Sequence, residues 1–103
     1  CALMQNNFGI SFIDRIYGVI ADNIENAIQA YNNALQVYTH EAFPQDWAMT
    51  QNNLGTTYCE RIKEEKLDNI ENAIQAYNNA LQVYTREAFP QDWAMTKGNF
   101  GLA

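Results

Sequence analysis

Basic residues are scarce in this chain and lie apart from one another. The 103 residues hold six Lys and Arg against twelve Asp and Glu. The six are Arg15, Arg61, Lys63, Lys66, Arg86 and Lys97, and they form no stripe. A phosphate backbone is bound by clustered cations, so no nucleic acid and no anionic membrane is expected as a partner. No apolar run approaches the roughly 18 residues of a membrane span, and no charged-then-apolar leader opens the chain. Cysteine occurs only as Cys1 and Cys59, and histidine only as His40. Metal sites and Cys/His catalytic pairs need companions at set spacings. Catalytic residues, cofactor-binding residues and metal ligands are therefore expected to be none. Two thiols without a metal spacing read as free and reduced, which fits a cytoplasmic setting. Proline is also rare, at 2 residues, while 48% of the chain is apolar, so no segment reads as disordered.

What the chain does have is a repeat. Asp22–Thr50 returns as Asp68–Thr96, an offset of 46 residues, and the copies differ only at His40 and Arg86. The same offset aligns Gln5–Gly9 with Gln51–Gly55 and reaches Asn99-Phe100-Gly101. A fixed period of this size marks stacked supersecondary units. The expected boundaries are repeat 1 over about 1–43, repeat 2 over about 44–89, and a partial third unit over 90–103. Repeat 1 has no Pro start, and the position of Trp47 is Cys1 one period earlier, so the chain reads as a segment of a longer array.

Apolar spacing predicts helices throughout and no strand. Leu3 or Met4, Phe8, Phe12, Ile13 and Ile16 form a first helix over residues 1–16. Tyr17–Ala21 is expected to break it. Asp22 with Glu25, and Asp68 with Glu71, have capping-box spacing. A second helix is expected over about Asn23–Thr39, with Ile24, Ala27, Ile28, Tyr31, Ala34, Leu35 and Tyr38 on one face. Pro44 starts a third helix, from Gln45 to about Ile62, because Pro suits the first helical turn. Asp68–Thr85 repeats the second helix, and Pro90 starts a fifth. Trp47 and Trp93 are expected to anchor the third and fifth helices against the helices before them. The order is A-B-A-B-A with short connections and antiparallel neighbours.

Leu54-Gly55-x-x-Tyr58 on helix A and Ala73-x-x-x-Tyr77-x-x-Ala80 on helix B resemble the signature of the tetratricopeptide repeat, TPR. Phe8-Gly9-x-x-Phe12 with Ala27, Tyr31 and Ala34 is the matching set in repeat 1. The period exceeds the usual ~34 residues. Asn-Asn-Leu-Gly is similar to the start of kinesin light-chain repeats, and Lys97–Gly101 to LGN/Pins repeats. The whole run resembles repeat arrays of cyanobacterial multidomain proteins, some fused to caspase-like CHAT domains. The resemblance implies an all-α, TPR-like helical-hairpin solenoid wound as a right-handed superhelix, with A helices lining a concave surface.

It also implies a function: a non-enzymatic protein-interaction scaffold whose concave, Asn-rich groove receives a protein or peptide ligand. The groove positions are Asn6, Asn7, Ile10 and Ile13 in repeat 1. In repeat 2 they are Asn52, Asn53, Thr56, Cys59 and Glu60, and the third unit adds Asn99. An Asn amide both donates and accepts, which suits an extended ligand. The same Asn residues could instead bridge neighbouring repeats, and both readings stand. Met49 and Asn52 occupy places where a carboxylate clamp needs cations, so no clamp is expected. Two other roles fit the sequence. One is a regulatory repeat segment of a larger enzyme such as a CHAT-type protease. The other is a self-assembling fragment or designed repeat protein. Arrays end in polar caps, and neither end here looks capped. Leu3, Met4, Phe8, Tyr17, Val19, Ile20, Trp93, Phe100 and Leu102 are the apolar residues expected to drive a homo-oligomer, as a two-fold dimer or an end-to-end stack.

Overall fold

A computed structural model describes residues 11–101, with side chains from Arg15 onward. Among these residues there are four helices and no strand. They are α1 (Ser11–Ala34), α2 (Pro44–Glu60), α3 (Lys66–Leu81) and α4 (Pro90–Gly101). The architecture is an all-α helical-hairpin solenoid. Its centre is the α2–α3 hairpin, which makes the most extensive helix–helix contact. Helix α1 packs on one side of α2, and α4 packs on α3.

The two copies of the Thr-x-x-Ala-Phe-Pro connection fold alike. Thr39 Oγ1 accepts from Ala42 N, and Thr85 Oγ1 from Ala88 N, both at 3.2 Å. Phe43 N donates to Thr39 O, and Phe89 N to Thr85 O, both at 2.9 Å. Pro44 stands at the first turn of α2, where a missing N–H costs nothing. The two connections hydrogen-bond alike although they differ at His40 and Arg86.

Several sequence expectations need correction. The Tyr17–Ala21 break is absent, and α1 runs straight through it. Ile16, Ile20, Ile24 and Ile28 recur at four-residue steps, a spacing a helix can carry through, with Ile24 and Ile28 buried and Ile16 and Ile20 exposed. The break exists in repeat 2, where Glu64 takes a left-handed φ of 70° between α2 and α3. Gly18, one period earlier, could take that φ most easily, yet it is helical. The capping boxes do not form. Asp22 lies inside α1, and α3 starts at Lys66 with Glu65 as its cap and no side-chain cap bond. The B-type helices also end early, at Ala34 and Leu81. Tighter i→i+3 turns follow, such as Gln36 N to Asn33 O and Gln82 N to Asn79 O, both at 3.1 Å.

Two clusters form the core. Ile24 and Ile28 of α1, Leu54 of α2 and Ala76 of α3 make the first, with Tyr31, Leu35, Tyr58 and Ile62 against it. Ala48 of α2, Ala80 of α3 and Tyr84 make the second, bordered by Trp47, Val83 and Phe89. Trp47 and Trp93 are half-buried, so they edge the core and do not fill it. Gly55 sits directly beneath the Tyr77 ring, which is 1% exposed.

Candidate functional site

The core stripe of α2 leaves a second stripe open to solvent. Along it lie Met49, Asn53, Thr56 and Glu60, at steps of four, three and four residues. That spacing holds one face of a helix. Met49 is 46% exposed and Glu60 is exposed, while Asn53 and Thr56 are half-buried. On α4 the corresponding stripe begins with Met95, 48% exposed, and Asn99.

The expected groove residues divide by their partners. Asn52 is buried, and its Oδ1 accepts from Asn99 Nδ2 at 3.3 Å. This pair ties α4 to α2, as the bridging reading requires. Asn53 differs: its carbonyl accepts from Thr57 Oγ1 at 2.8 Å, but its side-chain amide has no hydrogen-bond partner among the described residues. Thr56 Oγ1 and Tyr77 OH lie 2.9 Å apart and share a hydrogen bond. Burial raises the Tyr77 phenol above its ordinary 10.0, and the Thr56 bond opposes the shift. Cys59 is disulfide-bonded, so the expectation of a free thiol is corrected, and free thiols no longer argue for a cytoplasmic setting. Asn6, Asn7, Ile10, Leu3, Met4, Phe8 and Leu102 lie outside the described residues, and only the backbone of Ile13 is described.

Of the residues expected to drive self-association, Val19 is 61% and Ile20 39% exposed, and Tyr17 is half-buried in α1. Trp93 and Phe100 are half-buried, with Phe100 stacked on Tyr77 at 5.7 Å between ring centroids. Met49 and Met95 are not among the expected groove residues, yet both are exposed. Both fall outside the buried stripe and four residues before an Asn, a spacing visible in the sequence.

Three further features shape the surroundings. Ile20, Asn23, Ile24 and Ala27 of α1 and Thr57 and Glu60 of α2 line an open groove of about 300 Å³. Arg61 Nε donates to Glu25 Oε2 at 2.8 Å and joins the end of α2 to α1. Lys63 Nζ donates to Asp22 Oδ1 at 3.0 Å nearby. No group of His, Cys, Asp or Glu among the described residues could hold a metal ion. No helix among them is long and apolar enough to cross a membrane.

A repeat of amphipathic helical hairpins defines a helical-repeat solenoid. The family model described as soluble NSF attachment protein, SNAP, matches residues 5–96. The chain belongs to the SNAP family, a TPR-like helical-repeat group of protein-interaction adaptors that is typically non-catalytic. No curated protein and no solved structure matches it.

Proposed function

We propose that the chain is a non-enzymatic scaffold that receives an extended peptide or a helix along the α2 stripe. The observation that carries this reading is the Asn53 side-chain amide. It is half-buried on the open stripe and has no partner among the described residues, while Asn52 and Asn99 use theirs on each other. A ligand backbone would supply both the donor and the acceptor that this amide lacks. Met49 beside it offers an adaptable apolar contact. Glu60 at the far end favours a ligand with a basic residue at that end. We further infer kinship with long-repeat TPR arrays of the kinesin light-chain, LGN/Pins and cyanobacterial kinds, on the Asn-Asn-Leu-Gly and Lys-Gly-Asn-Phe-Gly runs.

The test is selection from a random peptide library, followed by calorimetric titration of the selected peptide. Asn53→Ala should weaken binding about tenfold, the effect of roughly one lost hydrogen bond in a desolvated contact. Asn33→Ala, exposed on α1, should leave it unchanged. A library that returns no binder, or a peptide indifferent to Asn53→Ala, rejects the reading.

A further inference from the structure

A polar cleft opens on the back of α2. Gln51, Leu54 and Tyr58 form its floor. They lie on the face of α2 opposite Met49, Asn53, Thr56 and Glu60, since each residue turns a helix by about 100°. The walls come from the end of α1 and from α3, and the volume is about 200 Å³. Every lining residue is described and falls between Asn32 and Asn79. Asn32, Gln51, Asn72, Gln75 and Asn79 line it with amides, and none of the lining residues carries a charge. Three of these amides form a relay that runs in one direction. Gln75 Nε2 donates to Asn79 Oδ1 at 3.0 Å, and Asn79 Nδ2 donates to Gln51 Oε1 at 3.3 Å. The relay begins with an open acceptor, Gln75 Oε1, and ends with an open donor, Gln51 Nε2. Neither atom has a partner among the described residues. Gln51 is only 7% exposed, so its donor has little water to turn to.

We propose that this cleft binds a primary carboxamide, the group that ends an asparagine or glutamine side chain. Its carbonyl accepts from Gln51 Nε2, and its NH2 donates to Gln75 Oε1. The relay then closes into a ring of four amides, each donating to the next. A carboxylate could accept from Gln51 but has no proton for Gln75, and an ammonium could only donate. Either ion would also enter a cleft that holds no counter-charge for it. Leu54 and Ala76 offer buried apolar surface to the methylenes of a glutamine chain. This inference is independent of the ligand stripe on the other face of α2, because Met49 and Asn53 take no part in it.

Heteronuclear NMR titration of the whole chain tests it, read at the side-chain NH2 signals of Gln51 and Asn79. The probes are acetamide, a free carboxamide, and N-acetylglutamine methylamide, the same group on a peptide backbone. Both signals should shift saturably. Acetamide binding as well as the capped glutamine marks a small free amide as the ligand; tighter binding of the capped glutamine marks an Asn or Gln side chain of a partner. N-acetylglutamate methylamide should give no such shift. Gln75→Met removes the open acceptor at an exposed site and should weaken binding about tenfold, the effect of roughly one hydrogen bond. Gln29→Met is the control. Gln29 is also exposed and donates to Asn33 Oδ1 at 3.2 Å, but it lies outside the cleft, so binding should not change. Circular dichroism checks that both variants stay folded. The absence of a saturable shift with either amide probe overturns the proposal. Equal binding of the glutamate probe, or equal effects of the two variants, overturns it as well.

Discussion

A Cβ added to Gly55 would stand 2.8 Å from Cδ1 of the Tyr77 ring. The ring is buried, stacks on Phe100 and shares a hydrogen bond with Thr56, so it has nowhere to move. Two effects then compete in Gly55→Ala. Helix propensity favours Ala by about 1 kcal/mol, and overpacking opposes it by about 1–3 kcal/mol. The expected result is net destabilisation, read from urea unfolding. Gly98→Ala is the control, because that site in α4 is open and only the propensity gain remains. Equal effects at both positions would mean that the Tyr77 ring does not rest on Gly55.

The only difference between the two long copies, His40 against Arg86, falls on the same neighbour. The His40 ring meets Trp47 edge-on with centroids 4.7 Å apart, and Arg86 Cζ lies 5.7 Å from the Trp93 centroid. Either group suits the Trp surface, one as an aromatic pair and the other as a cation. His40→Arg should therefore change stability by less than about 0.5 kcal/mol, like other surface exchanges. Trp47→Ala should cost about 2 kcal/mol, below the range for a fully buried Trp, because Trp47 only borders the Ala48–Ala80–Tyr84 cluster. Thermal melts of both variants check the pair. A large loss in His40→Arg would show that the histidine does more than cover the tryptophan.

The Glu25–Arg61 pair fixes the direction of one pH dependence. The hydrogen bond from Arg61, aided by its charge, holds Glu25 below its ordinary 4.5, and burial opposes this. The folded state thus binds this proton less readily than the unfolded chain. The pair's contribution is fully present above the unfolded carboxylate value and is lost as pH falls through the lowered folded value. Glu25→Gln should cost about 0.5–1 kcal/mol at neutral pH, the scale of a partly exposed ion pair. The gap to wild type should close in strongly acidic buffer. A gap that stays constant with pH would place the effect in packing and not in charge.

The sequence alone was enough to read the all-helical class, the 46-residue period, the Pro44 and Pro90 starts and the Leu54-Gly55-x-x-Tyr58 register, but not where the first two expected helices divide. These depend on local spacing and on side chains that specify their own turn, and the two Thr-x-x-Ala-Phe-Pro connections show it by folding alike. Tertiary structure decided the rest. Residues 17–21 continue α1 into the segment that Ile24 and Ile28 bury against Leu54 and Ala76, although Gly18 would have allowed a turn. Asn52 and Asn53 are adjacent in sequence and chemically identical, yet helical rotation sends one into contact with Asn99 and leaves the other on the open stripe. Ala48 and Ala94 share an identical local sequence but differ in burial, because α3 covers the first and no helix among the described residues covers the second. Propensity and period act along the chain, whereas burial depends on which surfaces meet across it, and a repeated sequence does not distinguish a covered copy of a face from an open one.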